Sequence, residues 1–129
     1  FEYLLPRLLL TPPSGTMLAA AWAAAVERQR EYGRERRVPW GVSESGFAAL
    51  SGDRDYQYQS FGVPGLGLKR GLAKDLVVAP YATLLAVSQD PAAAVANFRG
   101  LRAAGGEGPY GFYEAIDFTP DRLDRGERC

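Results

Sequence analysis

PYATLLAVSQDPAAAVANFRGLRAAGG, Pro80 to Gly106, reads as two successive helices. A helix begins near Pro80 and carries Tyr81, Leu84 and Leu85 on its apolar side. Asp90 opens a second helix. Its side-chain oxygen can accept from an orphan backbone N–H, and Pro91 follows at the first helical position, where a missing N–H costs nothing. Val95, Phe98 and Leu101 continue its apolar face until Gly105 and Gly106 end it. The two helices pair as an antiparallel hairpin across SQDP. Upstream, Leu18, Ala21, Trp22, Ala25 and Val26 recur at three- and four-residue spacing, which predicts a helix from about Thr16 to Tyr32, capped by Thr16 or Ser14. The first residues, FEYLLPRLLL, place Leu4, Leu5, Leu8 and Leu9 so as to suit a buried helix kinked near Pro6. Between the first helix and the hairpin, YQYQSFGVPGLGLKRG alternates Tyr56 and Tyr58 before a Gly- and Pro-containing break, and predicts short strands or an ordered loop. The fold class is therefore mainly α, with long loops that carry aromatics, glycines and carboxylates.

Composition narrows the functional classes. In 129 residues, fifteen basic side chains balance fifteen acidic ones, so no global field recruits nucleic acid or anionic lipid. The absence of histidine and the single cysteine, Cys129, leave no zinc or copper cluster and no internal disulfide, and no cofactor is expected. No run approaches the roughly 18 apolar residues of a membrane span, so a soluble domain without direct membrane contact is expected. The chain opens in mid-pattern and closes in the polar tail DRLDRGERC, so it reads as one domain truncated at both ends. The charged run ERQREYGRERR, Glu27 to Arg37, reads as a solvated helix end. GLGLKRG, Gly65 to Gly71, fails as a dinucleotide loop because Arg70 stands where a third glycine belongs. It fails as a P-loop because Leu68 stands where lysine belongs.

Two stretches concentrate carboxylates among Trp, Tyr, Phe and Gly: PWGVSES at Pro39 to Ser45 and PYGFYEAID at Pro109 to Asp117. Sugar rings stack their C–H faces on aromatic side chains, and glycosidic bonds are broken by carboxylate pairs. Both points favour a carbohydrate ligand, with Glu44 and Glu114 as the residues of interest. Plainer readings stand beside this one. Glu44 could occupy the first turn of a helix capped by Ser43, Glu114 could be a buried carboxylate bonded to tyrosine or backbone, Tyr110 and Tyr113 could be core, and Asp117 could cap the turn FTPD.

From Phe1 to Arg125, the strings FEYL, RQREYGRERRVPWGVSESGF, YQYQSFGVPGLGLKRGLAKDLVVAPYAT and YGFYEAIDFTPDRL closely resemble the glucoamylase-like domain of cyclic β-1,2-glucan synthases. That domain is similar to β-1,2-glucanases. The resemblance implies an (α/α)6 barrel, of which this chain would be an incomplete part, with a substrate cleft formed by loops at one end. It also implies that the domain closes β-1,2-glucan rings by retaining transglycosylation, a reaction needing two carboxyl groups about 5 Å apart. Glu44 of the SES motif becomes a catalytic carboxylate, as nucleophile or as acid/base. Its partner carboxylate is expected upstream of FEYL. Glu114 and Asp117 become ligands of sugar hydroxyls, Trp40, Tyr56, Tyr58 and Tyr113 candidate stacking platforms, and Glu2 a weaker site residue. The implied partners are a β-1,2-glucan oligosaccharide and the other domains of a larger membrane-bound synthase, on the cytoplasmic side of a bacterial inner membrane. A β-1,2-glucan hydrolase, or a glucan-binding module without catalysis, would use the same aromatics and carboxylates.

Overall fold

The computed structural model describes residues 2–50, 56–67 and 69–123, excepting the side chains of Glu2, Leu50 and Tyr56. A 3-10 helix, Glu2–Leu8, leads into α1, Met17–Arg36. Strands β1, Ser45–Leu50, and β2, Tyr56–Gln59, form an antiparallel pair with Gly46 opposite Tyr58. Then come β3, Val77–Val78, the hairpin helices α2, Pro80–Ala86, and α3, Pro91–Ala103, and the short pair β4, Glu107–Gly108, and β5, Gly111–Phe112. β6, Ile116–Asp117, returns to pair antiparallel with β3, and α4, Pro120–Leu123, closes the described chain.

The α2–α3 hairpin forms as its sequence predicts. Asp90 Oδ1 accepts the Ala93 N–H at 3.0 Å, Pro91 stands in the first turn, and Gly105 takes a left-handed φ of +86° after the last turn. Seven residues are too few for an isolated helix to persist in water, so α2 depends on its packing against α3 and the 3-10 helix. α1 also forms, with Thr16 Oγ1 accepting the Ala19 N–H at 3.3 Å, but it runs past Tyr32 to Arg36. Gly33 is a contact rather than a break, since a Cβ there would lie 3.0 Å from the Trp40 Cβ and from the Val38 carbonyl. The charged side chains at the end of α1 pair mostly with one another, Arg28 with Glu31 and Glu35 and Glu27 with Arg30 and Arg34, and Arg30 also reaches Asp90 at 2.8 Å, while Gln29 and Tyr32 of the same run are buried.

Three expectations need correction. The mainly α reading holds in part, because helices form the larger share but three two-stranded sheets stand among them in the described residues. The leucine run does not make a buried helix. It winds as a 3-10 helix around Pro6, where Leu4 points into the core while Leu5, Leu8 and Leu9 are exposed. The residues after Glu44 do not start a helix either, for Ser45 to Leu50 is strand β1, satisfied by long-range pairing with β2.

The core has two parts. One gathers Tyr32, Val42, Phe61, Val77, Val78 and Ile116 around β3 and β6. The other gathers Leu4, Trp22, Val26, Trp40, Ala82 and Leu85 between α1 and α2. The PWGVSES segment runs from one to the other, with Trp40 buried in the second and Val42 in the first. Glu44 is thus carried on backbone anchored at two points, just before a strand. None of the described helices is long and apolar enough to cross a membrane.

Candidate active site

The path of residues 40–43 is fixed by side-chain amides. Gln29, on the buried face of α1, donates from Nε2 to the Val42 carbonyl at 2.7 Å and accepts the Val42 N–H at 2.9 Å. Asn97, on the buried face of α3, donates from Nδ2 to the Trp40 carbonyl at 2.7 Å and accepts the Trp40 N–H at 3.0 Å. Each amide presents the donor and acceptor that a neighbouring strand would present. On the segment's other side Val42 bridges Val78, and the Gly41 carbonyl accepts the Ala79 N–H at 2.9 Å.

Gly41 itself has a φ of +122°, and a Cβ on it would come within 3.1 Å of the Ala79 carbonyl. Both the backbone conformation and the space require glycine. Gly41→Ala is expected to cost about 1–3 kcal/mol, read as a lower urea midpoint with an unchanged slope. A cost below a few tenths of a kcal/mol would mean that the segment is free to relax.

Beyond this anchored segment the two carboxylate motifs meet. The Gly46 N–H donates to Glu114 Oε1 at 2.8 Å across 68 positions of sequence, and the Ala48 N–H donates to Asp117 Oδ2 at 3.3 Å. Tyr81, from α2, is hydrogen-bonded to Ser43 at 2.6 Å between hydroxyl oxygens and donates to the Glu44 carbonyl at 3.2 Å. Tyr58 stands opposite Gly46 on β2. Its phenol is pushed above the ordinary tyrosine range, first by partial desolvation and then by the Glu44 carboxylate beside it, with Tyr81 and Glu114 also contributing. Glu44, Tyr58, Tyr81 and Glu114 therefore form one electrostatic neighbourhood.

Two concave surfaces adjoin this neighbourhood. Half-buried Glu44 lines a cavity of about 190 Å³ together with Tyr3, Phe61, Leu66 and Lys69. Glu114 rims an open groove of about 490 Å³ with aromatic and aliphatic walls: Tyr81, Leu84, Phe98, Phe112 and Tyr113.

The structure separates the residues singled out from the sequence. Tyr58 is 61% exposed and Tyr113 44% exposed, so both present accessible ring surface, and Tyr110 is fully exposed rather than core. Trp40 is corrected. At 8% exposure its ring packs against Leu4, Trp22 and Ala82, and it cannot stack on a sugar. Asp117 is also corrected, being 1% exposed and fully engaged by Arg122, the Thr119 N–H and the Ala48 N–H. It caps the FTPD turn and ties β6 to β1, leaving no oxygen for a sugar hydroxyl. The side chains of Glu2 and Tyr56 lie outside the described residues. Gln29 and Asn97 were not anticipated. Their signal is an amide inside an apolar helical stripe, Trp22–Val26–Gln29–Gly33 and Ala94–Asn97–Leu101, where apolar side chains are the rule.

The Glycoamylase model, which describes a glucoamylase family, matches residues 13–125, nearly the whole chain. The chain belongs to the glucoamylase-like family. Over all 129 residues this glucoamylase-like chain is 46% identical to the cyclic β-(1,2)-glucan synthase NdvB of Rhizobium meliloti (strain 1021). It spans 5% of the length of that relative. The family read from the sequence motifs is therefore the right one.

Proposed function

We propose that this glucoamylase-like chain supplies one catalytic carboxyl group, Glu44, to a domain that cyclises β-1,2-glucan by retaining transglycosylation within a larger membrane-bound synthase. The observation that carries the reading is the convergence of the two motifs. The Gly46–Glu114 hydrogen bond brings the SES strand against the YGFYEAID loop, so that a half-buried carboxylate, a second carboxylate and two tyrosines share one neighbourhood beside a cavity and an aromatic groove. The 46% identity of all 129 residues to one stretch of a cyclic glucan synthase supports glucan as the ligand.

In this reading Glu44 acts with a second carboxyl group located elsewhere in the complete domain, about 5 Å away as a retaining reaction requires. One of the two attacks the anomeric carbon while the other protonates the departing glycosidic oxygen. The carboxylate that gave up its proton then removes the proton from a 2-hydroxyl of the same chain as that hydroxyl oxygen attacks the anomeric carbon and displaces the enzyme carboxylate. Tyr58 and Tyr113 offer ring faces to glucosyl units, and Glu114 accepts hydroxyl hydrogen bonds with its remaining oxygen. The α2–α3 hairpin is one hairpin of the (α/α)6 ring, and the domain faces the cytoplasm.

Incubating the complete domain with linear β-1,2-glucan and weighing the products tests the reaction type. Rings lacking one water relative to a linear glucan of the same length are expected. Shorter linear glucans with new reducing ends would instead identify a hydrolase, and unchanged substrate with retained binding would identify a binding module.

A further inference from the structure

We infer that Asn97 and Gln29 are positioning residues for Glu44, setting the catalytic carboxylate's place by acting as artificial strand neighbours of the backbone that carries it. The inference rests on the catalytic reading of Glu44. Both amides are buried, at 7% and 3% exposure, and both are spent entirely on backbone groups of residues 40 and 42 or on the partner that orients them. Thr83 supplies that orientation for Asn97, accepting from Nδ2 at 2.8 Å. The Asn97 carboxamide oxygen is therefore turned toward the Trp40 N–H and its nitrogen toward the Trp40 carbonyl.

The arrangement is more specific than packing requires. A buried apolar side chain would fill the same space and would leave two backbone groups out of water with no partner. What the amides add is register. A side-chain amide accepts a backbone N–H and donates to a backbone carbonyl only when the segment lies at one rotation and one height, and two amides from two different helices define that position twice. Two residues beyond Val42 the chain reaches Glu44. An error at the clamps is transmitted directly to its carboxylate, and a misplacement of about 1 Å at a reacting group can cost about 10²-fold in rate.

Asn97→Asp offers a test with an internal control. The ionised carboxylate introduced by this substitution still accepts the Trp40 N–H but repels the Trp40 carbonyl. When protonated it again has one acceptor and one donor, and the clamp is restored. Burial favours the protonated form. Asn97 bonds to Trp40 and to Thr83 of α2; α2 carries Tyr81 as its one titratable side chain and residues 38–43 carry none, while Asp90 and its partner Arg30 stand at the N-terminal end of α3.

The experiment uses the complete domain, at a temperature where circular dichroism shows every variant folded, and reads steady-state turnover of linear β-1,2-glucan. Amide hydrogen exchange in a peptide covering residues 40–45 is followed in parallel and corrected for its intrinsic pH dependence. At pH 8, Asn97→Asp is expected to lose kcat by about 10²-fold, with KM within about twofold of wild type and with protection of the 40–45 peptide lost. At pH 5 both are expected to recover toward wild type measured at the same pH, whereas Asn97→Leu recovers at neither. Thr83→Val, a near-isosteric change that removes only the orienting hydroxyl, gives a milder version if Asn97→Asp does not fold, with an expected loss of about fivefold.

Unchanged protection in these variants would overturn the clamp itself. Lost protection with unchanged kcat would overturn its action on Glu44. If Glu44→Gln proved as active as wild type, the catalytic reading would fail separately, while the exchange data would still decide whether the amides hold the segment.

Discussion

Glu44→Gln in the complete domain is expected to lower glucan turnover by about 10²–10⁴-fold, the range typical of a lost general acid or base, and by more if Glu44 is the nucleophile. The substitution keeps the shape of the side chain and removes only its ability to carry a proton or to form the glycosyl ester. Little structural cost should accompany it. The backbone around residue 44 is held by other groups, through the Tyr81 hydroxyl on the Glu44 carbonyl, Glu114 on the Gly46 N–H, and Gln29 on Val42. Rate should therefore fall without a matching fall in melting temperature. A glutamine at residue 44 can still accept from the Tyr58 phenol, but the negative charge that helps raise that phenol's pKa is gone. Tyr58 should then titrate closer to the ordinary tyrosine range, which ultraviolet difference spectra in alkaline solution would register.

Arg122→Met is expected to cost about 3–5 kcal/mol of stability, because it strips the cation from a largely buried ion pair. The Arg122 guanidinium reaches Asp117 and Asp75, the latter at 3.0 Å, donates to Thr119 Oγ1 at 2.8 Å, and lies over the Phe47 ring at 5.0 Å. Its side chain is 12% exposed and that of Asp117 only 1%. Methionine retains much of the packing on Phe47. It leaves Asp117 and Asp75 facing each other without a counter-ion, and the Asp117 carboxylate out of water with only two backbone N–H donors. The loss should appear as a lower urea midpoint with an unchanged slope. A cost under about 1 kcal/mol, the value of an exposed pair, would show that Asp117 is solvated and would reopen its case as a sugar ligand.

The helical part of this chain was legible because its signals are local. Asp90, Pro91 and Gly105 state where α3 begins and ends within a few turns of sequence, and Trp22, Ala25 and Val26 state which face of α1 is buried. β1 was not legible. Its run SGFAAL has neither strict alternation nor helical spacing, and it becomes a strand only by pairing with residues 56–59. Ser43 before Glu44 therefore looked like a cap. Chemistry and resemblance single out Glu44 and Glu114 one by one without bringing them together, and the two corrected residues show what else those signals leave open. Trp40 and Tyr113 are both aromatics in glycine-containing loops, yet one is 8% and the other 44% exposed. Which of them faces solvent depends on α1 and α2 closing over Trp40, a long-range fact. Asp117 likewise resembles a ligand until Arg122, five positions on, is seen to claim it.

If Glu44 performs chemistry on a bound glucan, its loss separates turnover from affinity; a residue that only helps to hold the glucan would lower both. The most direct test measures binding and turnover together, on wild type and Glu44→Gln of the complete domain, with one preparation of linear β-1,2-glucan, using calorimetry for affinity and mass spectrometry for products. In the variant, affinity is expected to stay within a few-fold of wild type while cyclic product falls to a trace. Cyclic product formed by Glu44→Gln at a rate near that of wild type would show that Glu44 is not a catalytic group.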